Sequence, residues 1–337
     1  MGLSNLKSLL KLNGSIHIVA DQRTEALAGW ISEALTARGV IHRSSVTSSM
    51  NGLENLDEAV VLVSLFVPCG SKEMDAMPKL RAIVSPLLGY DWIDLEAASE
   101  RTIAVVNGEV EENRLGIAEA TIMLLLTLLY RLHETERAMR ESLATGGIRR
   151  NLLQGKTVGI VGSGGIARLV IDRLKPWACH IVVADSYQPA DMGVEFVTLD
   201  ALVADSDAIL LLTNLTPQTR HLINADKLAT VRPGVIFVNT ARGGLIDEGA
   251  LIDALDDGRV AGAALDVFEQ EPLASDHPLR SRSNVILTPH CIGHNEEAKL
   301  AVPRVAAENV ETLISGDLPG SCRNPAIADR WLATTCG

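Results

Sequence analysis

The stretch Gln154-Gly-Lys-Thr-Val-Gly-Ile-Val-Gly-Ser-Gly-Gly-Ile-Ala167 runs from a polar entry through a short apolar segment into a glycine-rich turn and the start of an amphipathic segment. Strand, glycine turn and helix in that order open a βαβ unit that binds a dinucleotide. Gly162 permits the tight turn, Gly164 lets the backbone approach a pyrophosphate, and the small Ala167 lets the helix pack on the strand. The helix N-terminus offers N–H donors and a partial positive charge to the phosphates. A bare G-x-G-x-x-A is a weak motif, so the next strand matters. His180-Ile-Val-Val-Ala184 ends at Asp185, whose carboxylate can accept from ribose hydroxyls and would repel a 2′-phosphate. Ser186 and Tyr187 follow instead of an Arg, so NAD is expected rather than NADP.

Outward from this unit the pattern repeats. Strands are expected at residues 16–20, 60–65, 81–85 and 103–106, and again at 157–161, 180–184, 208–212, 235–239, 262–265 and 285–287. Helices are expected between them, around residues 24–37, 93–100, 166–174 and 248–256. Such alternation makes an α/β fold with parallel sheets covered on both faces. Two series imply two doubly wound domains, and 337 residues suit two cores better than one. Residues 115–142 carry almost no polar side chain in their first half, which predicts a helix buried from every side. It either crosses between domains and packs on a partner subunit or belongs to the core of its own domain.

Composition excludes several classes of function. Apolar residues make up 47% of the chain and charged residues 21%, as in a folded globular protein. A net charge of −12 argues against nucleic acid and against an anionic membrane as partner, and Arg149-Arg150 reads as a solvated loop charge. Met1-Gly-Leu-Ser-Asn-Leu6 lacks the hydroxyl residue of a myristoylation signal, and Lys7 and Lys11 interrupt a signal-peptide core. The apolar run at 122–130 is too short to span a bilayer, so a cytoplasmic protein is expected. Cys69, Cys179, Cys291, Cys322 and Cys336 form no C-x-x-C pair, and neither a metal site nor a disulfide framework is expected.

Three residues downstream of the glycine turn carry the chemistry: Arg242 in Asn239-Thr-Ala-Arg-Gly-Gly-Leu-Ile-Asp247, Glu271 in Ala264-Leu-Asp-Val-Phe-Glu-Gln-Glu-Pro272, and His290 in Thr288-Pro-His290. A fixed cation, a carboxylate and an imidazole are the parts needed for hydride transfer to a 2-keto acid. A guanidinium stays charged and donates to two oxygens at once. An imidazole exchanges a proton near neutral pH. Taken singly, each has a plainer reading: Arg242 pairing with Asp247, Glu271 as a loop carboxylate, His290 in a surface turn. The ordered set favours the catalytic one.

From about residue 81 to residue 302 the sequence resembles the D-isomer-specific 2-hydroxyacid dehydrogenases. The matching stretches are Gly89-Tyr-Asp-Trp-Ile-Asp-Leu95, the glycine turn, Leu215-Thr-Pro-Gln-Thr-Arg-His-Leu-Ile-Asn224, Asn239-Thr-Ala-Arg-Gly-Gly244, Leu265-Asp-Val-Phe268 with Glu271-Pro272, and Thr288-Pro-His290. Glyoxylate and hydroxypyruvate reductases, and phosphoglycerate dehydrogenases without a regulatory domain, are the nearest types. The resemblance implies two Rossmann-like domains. Residues 1–107 with 294–337 would form a discontinuous, flavodoxin-like substrate domain, and residues 108–293 the NAD domain. Hinges are implied near Asn107 and Gly293, with a cleft that closes on the substrate. A homodimer is implied, with the apolar helix at 115–132 as a dimer element.

The same resemblance implies the site. Arg242 would bind the substrate carboxylate and polarise its carbonyl, His290 would act as acid and base, and Glu271 would hold the ring and favour its protonated form. Gly162, Gly164, Gly165, Ile166, Asp185, Thr213, Thr240, Ala241, Asp266 and His290 would line the cofactor, Asp266 at the nicotinamide carboxamide. Leu87, Leu88, Gly89 and Arg242 would bind the 2-keto or 2-hydroxy acid.

Several positions depart from the pattern. Ser85-Pro-Leu-Leu-Gly89 has Leu87 where a Gly is usual, in a loop whose N–H groups normally meet the substrate carboxylate. Asn107-Gly-Glu-Val-Glu-Glu-Asn-Arg114 is one residue longer than usual, and its three carboxylates would repel an anion unless they face solvent. Leu212 and Asn214 replace a usual His and Pro, and Cys291-Ile-Gly-His294 replaces small residues. The reaction is therefore expected to be standard and the substrate not. Phosphite dehydrogenases share the catalytic trio, whereas formate dehydrogenases place Gln where Glu271 stands. A nicotinamide-sensing corepressor built on this fold is the alternative outside enzymes. Lys72, Lys79 and Arg81 are the candidates for a phosphorylated substrate.

Overall fold

The structure is a computed structural model and describes residue 12, residues 14–144 and residues 146–335. The N-terminal residues read above for targeting, Met1 to Lys11, and the thiol of Cys336 lie outside the described residues. The chain divides into two compact units, Met1–Asn113 with Asn295–Gly337, and Arg114–His294.

In the first unit β1 (Ser15–Ala20), β2 (His42–Val46), β3 (Ala59–Leu65), β4 (Ala82–Ser85) and β5 (Ala104–Asn107) form one sheet in the order β2-β1-β3-β4-β5. Every pairing in it is parallel. Side chains alternate between two cores: Ile18, Val61, Val63 and Val84 face one, and Val19, Leu62, Ile83 and Val105 the other. The helices Glu25–Ala37 and Glu296–Ile314 cover the first face. Trp331 is fully buried there, and its Nε1–H donates to the Arg81 carbonyl at 2.7 Å, so the end of the described chain is part of this core.

In the second unit β6 (Thr157–Val161), β7 (His180–Ala184), β8 (Glu195–Phe196), β9 (Ala208–Leu211), β10 (Val235–Asn239), β11 (Val260–Leu265) and β12 (Val285–Leu287) lie in the order β12-β11-β10-β9-β6-β7-β8. All neighbours are parallel, and the strand order reverses between β6 and β9, where ligands of open α/β sheets bind. Alternate residues again face opposite cores, Val235 and Phe237 one way, Ile236 and Val238 the other. The expected α/β architecture with two parallel sheets is what the chain adopts.

Two strands escaped the sequence reading. His42-Arg-Ser-Ser-Val46 pairs only with β1 at the sheet edge and is largely polar, and β8 has two residues. Neither presents the apolar run by which a central strand is recognised. The long segment also differs from expectation. It forms two helices, Glu111–Leu129 and Leu132–Arg140, bent by 61° around Arg131, which adopts a left-handed φ of 48° and pairs with Glu134. Nor is the first helix buried on every side. Leu124, Leu125 and Leu129 enter the core, while Met123 is 49% exposed. No single described helix is long and apolar enough to cross a membrane.

Candidate active site

One register row lays out the second unit's site. Ala184, Val161, Leu211, Asn239, Leu265 and Leu287 lie side by side across six strands. The residues that follow them are Asp185, Gly162, Leu212, Thr240, Asp266 and Thr288, so segments far apart in sequence leave the sheet at one carboxyl edge. With strands about 4.8 Å apart, Arg242, Glu271 and His290 follow three adjacent strand ends within roughly 10 Å of one another in the sheet direction.

At the centre, Gly162 has φ +112°, and a Cβ on it would meet the Leu212 carbonyl oxygen at 2.6 Å and the Thr213 nitrogen at 3.0 Å. Only glycine lets this turn press against the end of β9. Gly164 faces open space and caps the helix Gly165–Leu174 without any side chain, so the first-turn donors of Gly165 and Ile166 are left to a ligand. Asp185 closes the other side. One carboxylate oxygen accepts from Ser163 N–H at 2.7 Å and Ser163 Oγ at 2.9 Å, and the other from Tyr187 N–H at 3.0 Å and Ser186 Oγ at 3.3 Å. Burial pushes the Asp185 pKa up, but these hydrogen bonds outweigh it and hold the carboxyl below its ordinary range. A fixed anion thus stands beside an uncapped helix end, an arrangement that fits adenosine ribose and pyrophosphate and disfavours a 2′-phosphate.

Asn239, quoted above only as the start of a motif, shapes the Arg242 turn. Its Oδ1 accepts from Ala241 N–H at 3.1 Å and its Nδ2 donates to the Arg242 carbonyl at 2.8 Å. Thr240 is buried with its hydroxyl against Thr121 at 2.8 Å, and the guanidinium of Arg242 donates from Nη1 to the Ala241 carbonyl at 2.6 Å. Gly243 then lets this turn touch the next one. A Cβ there would lie 2.5 Å from the Glu269 nitrogen and closer still to the Phe268 carbonyl.

Glu271 is held at both oxygens. Phe268 N–H donates to Oε1 at 3.1 Å, and Oε2 meets His290 Nδ1 at 2.8 Å. His290 itself has φ 53°, a left-handed conformation that costs a non-glycine residue about 1–3 kcal/mol. Asp266 enforces it. Its buried carboxylate accepts from Thr288 Oγ1 at 2.7 Å, Cys291 N–H at 3.0 Å and Ile292 N–H at 3.2 Å, while its carbonyl accepts from His290 N–H at 2.7 Å. Asp266 thus clasps the turn that carries His290, a role the sequence did not suggest, though Thr288 was in the motif. Cys291 is not a poised thiolate, because burial and then the Asp266 charge raise its pKa.

In the first unit, Ser85-Pro-Leu-Leu-Gly89 follows the carboxyl end of β4. The Leu87 carbonyl accepts from Gly108 N–H at 2.9 Å, the Leu88 carbonyl from Asn107 Nδ2 at 2.7 Å and the Gly89 carbonyl from Ser85 Oγ at 2.6 Å. In a trans peptide the N–H opposes the C=O, so inward carbonyls turn the amides of the following residues outward. Of the three carboxylates in the loop after β5, Glu109 pairs with Arg323, Glu111 is exposed and Glu112 is half-buried.

Residues 122–291 match the model of the "D-isomer specific 2-hydroxyacid dehydrogenase, NAD binding domain" family. A glyoxylate reductase of Korarchaeum cryptofilum is 35% identical over 287 residues, covering 82% of this chain and 86% of that protein. The chain belongs to the D-isomer-specific 2-hydroxyacid dehydrogenases. A D-3-phosphoglycerate dehydrogenase of Methanocaldococcus jannaschii is 38% identical over 279 residues, and the chain spans about half of its length, 52%. Among solved structures, a glyoxylate reductase from Paecilomyes thermophila superposes with a TM-score of 0.82 at 28% identity, over 93% of this chain and 99% of that one. The dehydrogenase is therefore an NAD-dependent oxidoreductase acting on CH–OH groups, and its second unit is the NAD-binding domain. Gly162, Gly164, Asp185 and the uncapped helix Gly165–Leu174 are residues suited to hold that cofactor.

Proposed function

We propose that the dehydrogenase interconverts a short 2-keto acid and its D-2-hydroxy acid, with Arg242, Glu271 and His290 as its catalytic residues. The contact between His290 Nδ1 and Glu271 Oε2 at 2.8 Å carries this reading. It commits Nδ1 to the carboxylate, so Nε2 is the nitrogen that gives a proton to the substrate carbonyl oxygen and takes it back in reverse. Glu271, itself held by Phe268 N–H, orients the ring and offsets the charge it gains. Arg242 binds the substrate carboxylate and polarises the carbonyl through its fork of donors. In the first unit the Leu87 N–H donates to Ser85 Oγ at 3.3 Å, which leaves the amides of Leu88 and Gly89 as the proposed substrate donors there. When bound, NAD accepts or donates the hydride.

Glyoxylate and hydroxypyruvate are the favoured substrates. Of the three phosphate-binding candidates, Lys72 lies in the short helix Ser71–Asp75, Lys79 is paired with Glu58 at 2.6 Å, and Arg81 donates to the Trp331 carbonyl at 3.0 Å. Lys79 and Arg81 precede β4 and lie at the edge opposite the Leu87 loop, roughly 13 Å away for a four-residue strand. That favours an unphosphorylated acid. A second copy of the chain is the proposed partner. Met123, Leu132, Met139, Leu143 and Leu152 are exposed apolar side chains on the helices Glu111–Leu129 and Leu132–Arg140 and the stretch that follows them. Cys69, Cys179, Cys291 and Cys322 are free thiols, which fits the cytoplasm as the proposed location.

A screen of glyoxylate, hydroxypyruvate, pyruvate and bulkier 2-keto acids, followed at the NADH and NADPH absorbance, tests the reading. NADH-dependent turnover that R242A and H290A abolish is expected. Unchanged turnover in both variants, or activity with NADPH alone, would overturn it. Tight NADH binding without turnover of any acid would point instead to a sensing role.

A further inference from the structure

Arg114 stands next to the glycine turn although it lies far from it in sequence. A Cβ on Gly165 would meet Arg114 Nη1 at 3.3 Å and Cδ at 3.6 Å, so the guanidinium lies across the first residue of the helix Gly165–Leu174. The placement follows from packing. Ala118, Leu124, Leu125 and Leu129 of the helix Glu111–Leu129 share a core with Ala167, Val170, Ile171 and Leu174. Glu119 of the first helix pairs with Arg173 of the second at 3.7 Å. Contacts at 114 with 165 and at 119 with 173 advance along both helices together, so the two run in the same direction. Their N-terminal ends open at one edge, and Arg114 sits in the first turn of its helix.

We infer that Arg114 is a pyrophosphate-binding residue of the NAD site, supplying from a neighbouring helix the full positive charge that the glycine turn lacks. This rests on the NAD assignment of the unit and extends it to a residue outside the motif. The turn itself brings only backbone donors and a partial charge, since Ser163, Gly164, Gly165 and Ile166 carry no cation. Gly165 has no side chain to fill the space above it, and the guanidinium takes that place. A planar fork meets two phosphate oxygens at once, which suits a diphosphate held over the first-turn amides. Glu111 and Glu112 share the first turn of the Arg114 helix, so a diffuse positive field is not what draws the anion. The contact must be a directed one.

Isothermal titration of NAD⁺, ADP-ribose and adenosine against the wild type, R114A and R114K tests this. ADP-ribose keeps the pyrophosphate and adenosine lacks it. In R114A the Kd for NAD⁺ and for ADP-ribose rises about tenfold or more, the size of one charge-assisted phosphate contact. R114K, which keeps the charge but loses the fork, recovers part of the loss. Adenosine binds all three proteins alike. R114Q retains much of the stem and replaces R114A if alanine lowers the melting temperature; it shows the same selective loss. Equal NAD⁺ affinity in wild type and R114A, or a loss that extends equally to adenosine, overturns the inference alone. A wild type that binds neither NAD⁺ nor ADP-ribose overturns the cofactor assignment, and the inference with it.

Discussion

Gly243 joins the turn that carries Arg242 to the loop that carries Glu271, and replacing it by alanine tests how the site is assembled. A Cβ at 243 would lie 2.5 Å from the Glu269 nitrogen and nearer to the Phe268 carbonyl, all backbone. Ordinary contact begins near 3.4 Å, so the Phe268 carbonyl, the nearest group, must retreat by about 1.5 Å. No rotamer change relieves this, because no side chain is involved. Forcing a methyl into packed structure costs about 1–3 kcal/mol, or between about 2 and 12 °C in melting temperature at roughly 2–4 °C per kcal/mol. A displacement near 1 Å at reacting groups lowers turnover by roughly 100-fold. Gly244 is the control. A Cβ there would meet only side-chain ends, Leu215 Cδ2 at 3.1 Å and Arg220 Nη1 at 3.2 Å, which can move aside. Differential scanning fluorimetry and steady-state kinetics on G243A and G244A should give a destabilised, slow enzyme in the first case and a near-normal one in the second. Equal behaviour of the two variants would refute the reasoning.

H290Q should lower kcat by about 10²–10⁴ while leaving the Kd for NADH within about twofold, because it removes proton transfer and not the phosphate contacts; E271Q, which keeps the Phe268 hydrogen bond, should fall between it and the wild type. The Asp185 carboxyl is held below its ordinary pKa, so its contribution to stability is present above about pH 4 and is lost as pH falls through the lower folded value. Thermal melts below about pH 4 should therefore fall more steeply for wild type than for D185N, and parallel curves would show that the clamp contributes nothing. Glu248 behaves oppositely: burial, then the Glu269 and Glu271 charges, raise its pKa against the Glu269 N–H bond and the charge of His277. Its ionised form is disfavoured when folded, so stability is lost as pH rises above the ordinary carboxylate range. E248Q should melt higher than wild type at neutral pH, with the gain shrinking toward pH 4; a constant gain at every pH would mean that ionisation is not the cause.

Much of the site was legible because its chemistry is written in short local motifs. The glycine turn and Asp185 each follow an apolar strand, and the strand-ending pattern placed Arg242, Glu271 and His290 in ordered blocks. What was not legible is the support between blocks. Asp266 stands in a motif that implies a contact with the cofactor, yet its carboxylate clasps a turn twenty-five residues on, as its bond to Cys291 N–H shows. The apolar helix Glu111–Leu129 stops before Arg131 because the chain there turns with left-handed φ, which an arginine signals no more than any other residue. The polar edge strand His42–Val46 leaves no periodic trace, since only one of its edges pairs.

Residues within a few positions of one another set most element types, the alternation that makes parallel sheets, the dinucleotide turn and the proposed reacting groups. The register row from Ala184 through Val161, Leu211, Asn239 and Leu265 to Leu287, the fit of Gly243 against Phe268, and the place of Arg114 beside Gly165 arise from packing between distant segments. Parallel strands meet only after a crossover of a dozen or more residues. Their alignment therefore depends on how the intervening helices pack, which no local stretch of sequence contains.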